Sequence, residues 1–153
     1  MTTNATQANQ LIFIVDTREQ RGYDFDPGAI HKKLDAGDYS ILGFEDRIAI
    51  ERKSLDDWIG TLLRGKERFC REVMKLKSYF YAAVLIEASE EDILVGAYKS
   101  QICPAKLLGL TKQMTYQFAP VDVILAGDRP QAKSLCEKLL REAAGRLECE
   151  IVT

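Results

Sequence analysis

Short apolar runs and amphipathic stretches alternate along the chain. Continuous apolar runs rich in β-branched residues predict buried strands at 11–15 and 82–88, and a similar run predicts another at 121–127. Two further strands, at 39–42 and 47–53, are separated by the turn sequence GFED. That spacing is typical of a β-hairpin with a short loop.

Apolar residues at helical spacing predict the helices of the chain. They lie at 54–63, 66–80, 104–118 and 131–147, with a weaker helical segment at 29–34. Strands that alternate with helices after an initial hairpin indicate an α/β fold, in which helices flank a central mixed sheet in three layers. Residues 1–10 are polar and without period, so we expect a flexible leader followed by a single domain at 11–153.

Composition excludes several classes of protein. The 153 residues carry a net charge of −2, so a uniformly basic, polyanion-coating surface is excluded. No apolar run approaches the roughly 20 residues of a membrane span, and the N-terminus lacks the features of a signal peptide. Four dispersed cysteines and one histidine exclude a zinc finger and favour reduced thiols. We therefore expect an intracellular protein, in cytoplasm, nucleoid or nucleus, with a virus or mobile element as a possible source.

Four charged residues fall at predicted strand ends rather than on exposed helix faces. Asp16 ends the first strand, Asp38 begins the first hairpin strand, and Glu51 and Lys53 end the second. Strand side chains alternate between the two faces of a sheet, so Glu51 and Lys53 point together while Arg52 points away. We expect the carboxylates of Asp38 and Glu51 to converge at one edge of the sheet.

Two converging carboxylates are suited to Mg²⁺, which uses one or two carboxylates together with waters and substrate phosphate oxygens. Lys53 would then position the attacking water. This D…ExK layout is that of metal-dependent nucleases, but short matches of this kind also arise by chance. The alternative is a solvated hairpin edge with no chemistry.

Longer motifs surround this pattern and occur in a fixed order: VDTRE at 15–19, GDY at 37–39 and IERKSLDDWIGTL at 50–62. Together they resemble the nuclease domain of the XPF family (ERCC4 domain), structure-specific endonucleases that cut branched DNA. The resemblance covers about residues 11–145. It implies a restriction-endonuclease-like fold and a Mg²⁺- or Mn²⁺-dependent endonuclease acting on flap, fork or other branched DNA in repair or recombination.

The resemblance also implies roles for individual residues. Asp38 and Glu51 ligate the metal, Lys53 assists the attacking water, Arg18 clamps a phosphate, and either Asp16 or Glu19 extends the metal shell. The catalytic set so implied is Asp16, Glu19, Asp38, Glu51, Arg52, Lys53 and Asp57, with Asp16, Asp38 and Glu51 as metal ligands.

Two members of this set have a structural alternative. Asp57 stands at the third helical position after Ser54, where it can complete a capping box. The alternative for Arg52 is a buried guanidinium held by a carboxylate, which would make it part of the scaffold.

A basic segment adjoins the motif. Between Arg64 and Lys77, six basic residues stand against two acidic ones, a local balance of +4 in a net negative chain. At helical spacing such residues can follow a row of phosphates, although a solvated helix face is the alternative. The predicted DNA-binding residues are Arg18, Arg64, Lys66, Arg68, Arg71 and Lys75.

The resemblance also predicts partners and leaves rival functions open. Family members commonly add a helix-hairpin-helix module, which this sequence lacks, so we expect DNA targeting to come from the domain itself, a second copy or a partner protein. A homodimer through 104–118 and 131–147 is implied. One rival is a catalytically silent DNA-binding or scaffold subunit, although such subunits usually lose the carboxylates retained here. Another is a Holliday-junction resolvase or restriction-type nuclease, against which the ERK-x-x-x-D run and VDTRE speak.

Overall fold

The computed structural model describes residues 10–153, so the predicted leader lies outside the described residues except for Gln10. Within them, six strands and five helices follow one another in an α/β arrangement. The strands are β1 (Phe13–Val15), β2 (Ala29–His31), β3 (Tyr39–Ile41), β4 (Ile48–Ser54), β5 (Tyr81–Glu87) and β6 (Asp122–Leu125). The helices are α1 (Leu55–Leu63), α2 (Lys66–Leu76), α3 (Glu90–Leu94), α4 (Pro104–Phe118) and α5 (Arg129–Val152).

The strands form one mixed sheet in the order β2-β1-β3-β4-β5-β6. Strand β3 runs antiparallel to both β1 and β4, whereas β4, β5 and β6 are parallel to one another. The ends of β1 and β4 therefore meet the start of β3 at one edge. This topology confirms the predicted hairpin and brings together the strand ends that carry charged residues.

Helices cover both faces of the sheet and produce two cores. On one face α1, α2 and α4 bury Trp58, Phe69 and Leu107 against Ala49 of β4. On the other face α5 packs on β3, β4 and β5 through its small and aliphatic residues, among them Cys136. The predicted three-layer α/β architecture is confirmed, and no helix within residues 10–153 is long and apolar enough to cross a membrane.

Several predicted elements differ from the structure. Residues 29–34 do not form a helix, because Ala29–His31 pairs in parallel with β1 as an edge strand. Helix α2 ends at Leu76 rather than at residue 80, since the chain turns there and the Tyr79 N–H donates to the Leu76 carbonyl. The short helix α3 was not predicted. Helix α5 begins at Arg129, where the Asp128 side chain caps it, and continues to Val152.

Candidate active site

The charged strand ends meet at one edge of the sheet. Asp38 precedes β3, and backbone hydrogen bonds tie it to both neighbouring strands: its N–H donates to the Ile50 carbonyl at 2.8 Å, and its own carbonyl accepts from the Asp16 N–H at 2.8 Å. The adjacent end of β4 carries Glu51 and Lys53. The predicted convergence of Asp38 with Glu51 is therefore present in the structure.

Gly37 allows this approach. Its φ of +78° is in the left-handed region, and a Cβ at this position would lie 2.9 Å from the Cβ of Ala49 and 3.3 Å from the carbonyl oxygen of Ile50. A side chain would thus push the segment away from β4, in addition to the strain of the backbone conformation. The glycine of the GDY sequence lets the following carboxylate sit against β4.

The carboxyl groups of Asp38 and Glu51 form a closely coupled pair. One Asp38 oxygen accepts a hydrogen bond from the Arg52 backbone N–H at 2.7 Å. Partial removal from water, together with the negative charge of Glu51, raises the pKa of Asp38 to about 8. Burial also raises the pKa of Glu51, an effect that Lys53 opposes and the charge of Glu72 strengthens. Two carboxylates that repel each other are a site prepared for a cation.

Lys53 lies beside this pair on the same face of β4. Its ammonium nitrogen is 3.3 Å from a Glu51 oxygen and 5.0 Å from the centre of the Phe69 ring. The ring limits where the ammonium group can move, and the ion pair directs it toward the carboxylates. A water bound next to Glu51 would be within reach of this donor.

Arg52 points to the opposite face of β4, where its charge is fully matched. The guanidinium donates two hydrogen bonds of 3.0 Å to Glu19 and another to Glu87, and all three side chains are about a tenth exposed or less. Burial alone would lower the pKa of Arg52, but its hydrogen bonds and charge contacts with these carboxylates raise it. The expected buried guanidinium is confirmed, with two carboxylate partners instead of one.

Asp16 and Glu19 are both engaged by protein groups. One Asp16 oxygen accepts from the Leu34 N–H at 2.9 Å and the other from Arg18 Nε at 2.8 Å. Glu19 uses both of its oxygens on Arg52. Of the two candidates for extending the metal shell, the structure places Asp16 near Asp38 with its oxygens occupied and Glu19 across the sheet.

Arg18 is 61% exposed in its side chain and also donates to the Leu34 carbonyl at 2.7 Å. It lines a cavity of about 310 Å³ together with Asp38 and Glu51. Its guanidinium is thus held at the rim of the carboxylate pair. A phosphate entering this cavity would meet the remaining donors of Arg18.

Asp57 lies in the first turn of α1. Its backbone N–H donates to the Ser54 hydroxyl at 3.1 Å, but no reciprocal bond from its side chain closes a capping box within residues 10–153. The carboxylate is exposed and lines a neighbouring cavity of about 460 Å³ beside Lys53. The helix cap by Ser54 is confirmed, but the predicted capping box is wrong, so the Asp57 side chain remains available to the site.

The predicted DNA-binding residues of the basic segment separate into two groups. Arg68 and Lys75 line the cavity that contains the carboxylate pair, while Arg64 and Arg68 line its larger neighbour. Lys66 and Arg71 line neither. Helix α2 turns only part of its basic surface toward the site.

Three charged residues near the site were not predicted. Glu72 extends from α2 into the wall shared by the two cavities, where it pairs with Arg68 at 3.4 Å. Glu87 ends β5, and Arg129 reaches it at 3.4 Å from the first turn of α5. A signal for Glu87 was available, because it ends an apolar strand just as Asp16 does. Arg129 follows a predicted strand in the same way.

Comparisons with known proteins identify the family and the fold. The family model described as the ERCC4 domain matches residues 15–139. Among solved structures, XPF from Aeropyrum pernix superposes with a TM-score of 0.64 at 20% sequence identity, covering 86% of this chain and 60% of that one. At this identity the likeness establishes the shared fold, and the chain spans three fifths of that structure's length. A search of curated proteins finds no match.

The family match extends from the end of β1 into α5 and so includes the whole carboxylate edge. Asp38, Glu51, Arg52 and Lys53 all lie inside it. The chain therefore belongs to the ERCC4 domain family.

Proposed function

We propose that this protein is a metal-dependent DNA endonuclease that hydrolyses phosphodiester bonds. Membership of the ERCC4 domain family indicates a nuclease. The observation that carries the proposal is the Asp38–Glu51 pair, whose carboxyl groups are held together with raised pKa values at the wall of an open cavity. A protein that needed only a stable hairpin edge would gain nothing from this repulsion.

The residues present fit Mg²⁺ or Mn²⁺. No group of three or more His, Cys, Asp or Glu side chains in the described chain forms a closed metal cage. Hard cations such as Mg²⁺ are instead held by one or two carboxylates, with the remaining positions left for water and phosphate oxygens. Asp16 and Glu19 are each paired with an arginine, whereas Asp38 and Glu51 repel each other and share the single ammonium group of Lys53, so we assign the metal to Asp38 and Glu51. When bound, such an ion polarises a phosphate oxygen and acidifies a coordinated water.

The other side chains have separable tasks. The Arg52 N–H fixes the orientation of Asp38, and Lys53 directs a donor at the position of the attacking water. Arg18, oriented by Asp16, binds a nonbridging oxygen of the scissile phosphate. Asp57 supports Lys53 from the neighbouring cavity.

The substrate class we propose is branched DNA, such as a flap or fork, in repair or recombination inside the cell. The basic face formed by Arg68 and Lys75 beside the carboxylate pair supports a DNA strand as the ligand. We also propose self-association, because α4 packs on the edge strand β6 from one face of the sheet, α5 covers the other face, and Tyr116 of α4 is 84% exposed. A second copy would supply the additional DNA contacts that a branched substrate requires.

Cleavage assays on labelled linear, flap, fork and four-way DNA test the proposal. We expect cutting in Mg²⁺ or Mn²⁺ and none in EDTA. Asp38→Asn and Glu51→Gln should each lower the single-turnover rate at least about 100-fold, equivalent to about 2.7 kcal/mol of barrier. Asp46→Asn, which alters an exposed carboxylate of the hairpin loop, is the matched control and should cut normally.

Thermal unfolding gives a second readout that is independent of activity. Mg²⁺ should raise the unfolding midpoint of the wild type and of Asp46→Asn, but not that of Asp38→Asn, since only a folded chain with both carboxylates binds the ion. Cutting in EDTA, or full activity in both carboxylate variants, would refute the mechanism. DNA binding without cutting under any metal condition would instead favour the silent scaffold subunit.

A further inference from the structure

The carboxylate cavity is one part of a longer groove. It shares Arg68, Phe69 and Glu72 with the 460 Å³ cavity on the far side of Lys53. That second cavity in turn adjoins a third, of about 290 Å³. The residues common to the second and third cavities are Asp56, Gly60 and Arg64. The groove therefore continues past the carboxylate pair along α1.

The far end of this groove is net positive. Arg64 and Lys99 line the third cavity against a single acid, Asp56. One Asp56 oxygen already accepts a hydrogen bond from the Lys99 backbone N–H at 3.1 Å. That bond ties the loop between α3 and α4 to α1, so the Lys99 side chain extends from a fixed segment.

Two further details equip this end to bind an anion. The Arg64 guanidinium lies across Gly60, with Nη2 3.7 Å from where a glycine Cβ would stand. The Ser100 hydroxyl oxygen accepts from the Ile102 N–H at 3.2 Å, which leaves its own hydrogen free to donate. Two cations and a hydroxyl donor thus face the same space.

We propose that the cavity lined by Arg64, Lys99 and Ser100 binds a backbone phosphate of the same DNA strand that passes the carboxylate pair, at least one nucleotide from the scissile bond. The inference rests on the proposed function. A strand that passes two carboxylates needs compensating positive charge along its path. Arg18 and Lys75 line the carboxylate cavity itself, and Arg64 and Lys99 supply positive charge at the far end of the groove.

Binding measurements with fluorescently labelled oligonucleotides test this subsite. Ca²⁺ replaces Mg²⁺ so that the strand stays intact, and the affinity is followed against salt concentration. The double variant Arg64→Ala/Lys99→Ala should show a shallower salt dependence, by about one unit of slope for each lost phosphate contact. Lys99→Ala alone should show half of that change. Arg47→Ala removes an exposed arginine that lines none of the three cavities and is the matched control.

A chemical version of the experiment locates the contact. Neutral methylphosphonate links replace one phosphate at a time on either side of the scissile bond. For the wild type and Arg47→Ala, neutralising one phosphate on one side should weaken binding, whereas the double variant should be insensitive to that same change. If the double variant loses affinity at every neutralised position as the wild type does, or if it behaves like Arg47→Ala, the inference is overturned while the endonuclease proposal stays intact. A wild type that binds no DNA would overturn both.

Discussion

The two faces of β4 carry charges under opposite conditions. On one face, Arg52 lies in a buried network in which each carboxylate has a guanidinium partner; burial alone would raise the pKa of Glu19, but the bonds from Arg52 lower it. On the other face, Asp38 and Glu51 repel each other and have raised pKa values. Residues adjacent in sequence thus stabilise the fold on one face of β4 and form a mutually repelling pair of carboxylates on the other.

The difference shows how one strand can hold a strained site in place. Arg52 contributes to both faces, because its side chain anchors β4 to Glu19 and Glu87 while its backbone N–H holds Asp38. Arg129 extends the anchor: it contacts Glu87, donates to the carbonyls of Arg21 and Gly22, and stacks over Tyr23 at 4.8 Å. The ion pairs of Arg52 with Glu19 and Glu87 therefore keep Asp38 and Glu51 from moving apart.

Removing the anchor should have the largest effect on stability. Arg52→Ala leaves Glu19 and Glu87 with their main cation missing, and we expect the free energy of unfolding to fall by about 3 to 5 kcal/mol in urea denaturation. Adding Glu19→Gln should recover part of the loss, because one uncompensated charge disappears. Arg47→Ala, at an exposed site of the same hairpin, is the control and should change stability by less than about 0.5 kcal/mol. A loss below about 1 kcal/mol in Arg52→Ala would contradict the anchor role.

Relieving the strained face should have the opposite sign. The pKa of Asp38 rises from an ordinary value of 3.8 to about 8 on folding, so between these values the folded chain binds more protons than the unfolded one. Without metal, its stability should therefore fall as the pH rises through this window. Asp38→Asn should remove most of this slope and be more stable than the wild type by at least about 2 kcal/mol at pH 9, since each pKa unit of the shift corresponds to about 1.4 kcal/mol.

Urea denaturation in EDTA from pH 5 to pH 9 measures this effect. The amide introduced by Asp38→Asn would keep an acceptor for the Arg52 N–H, so the comparison isolates the charge. Asp46→Asn is again the control, with a curve parallel to that of the wild type. Parallel curves for the wild type and Asp38→Asn would show that the pair is not strained.

Local sequence patterns predicted most residues of the site, but fewer of the contacts that hold the site in place. The period of two along 48–53 placed Glu51 and Lys53 on the face opposite Arg52, because alternation is a property of the strand itself. It did not predict the partner at Glu87, since that contact joins residues 35 positions apart through parallel strand pairing. Long-range ion pairs leave no periodic signal in the sequence.

The same reasoning explains the misassigned segment at 29–34. Its apolar residues are too few to distinguish a short helix from an edge strand, and its pairing with β1 is decided by the tertiary structure. In contrast, α1 was predicted well because its stripe and its Ser54 cap are both local. Elements defined by their own sequence were predictable, and those defined by a distant partner were not.

The smallest change in stability is expected at the start of α1, next to the strained face. Variants there separate the two roles considered for Asp57, which are in the helix cap and in the active site. Ser54→Ala removes the helix cap and should cost about 1 kcal/mol of stability. Asp57→Asn keeps the backbone donor to Ser54, so it should cost only about 0.5 kcal/mol through the helix dipole.

If the Asp57 carboxylate acts from its cavity beside Lys53, single-turnover cleavage should nevertheless fall at least about tenfold, or about 1.4 kcal/mol of barrier, in Asp57→Asn. Ser54→Ala should keep cleavage near the wild-type rate. If Asp57→Asn instead cleaves as fast as Ser54→Ala, the Asp57 carboxylate contributes only to the stability of α1 and not to cleavage.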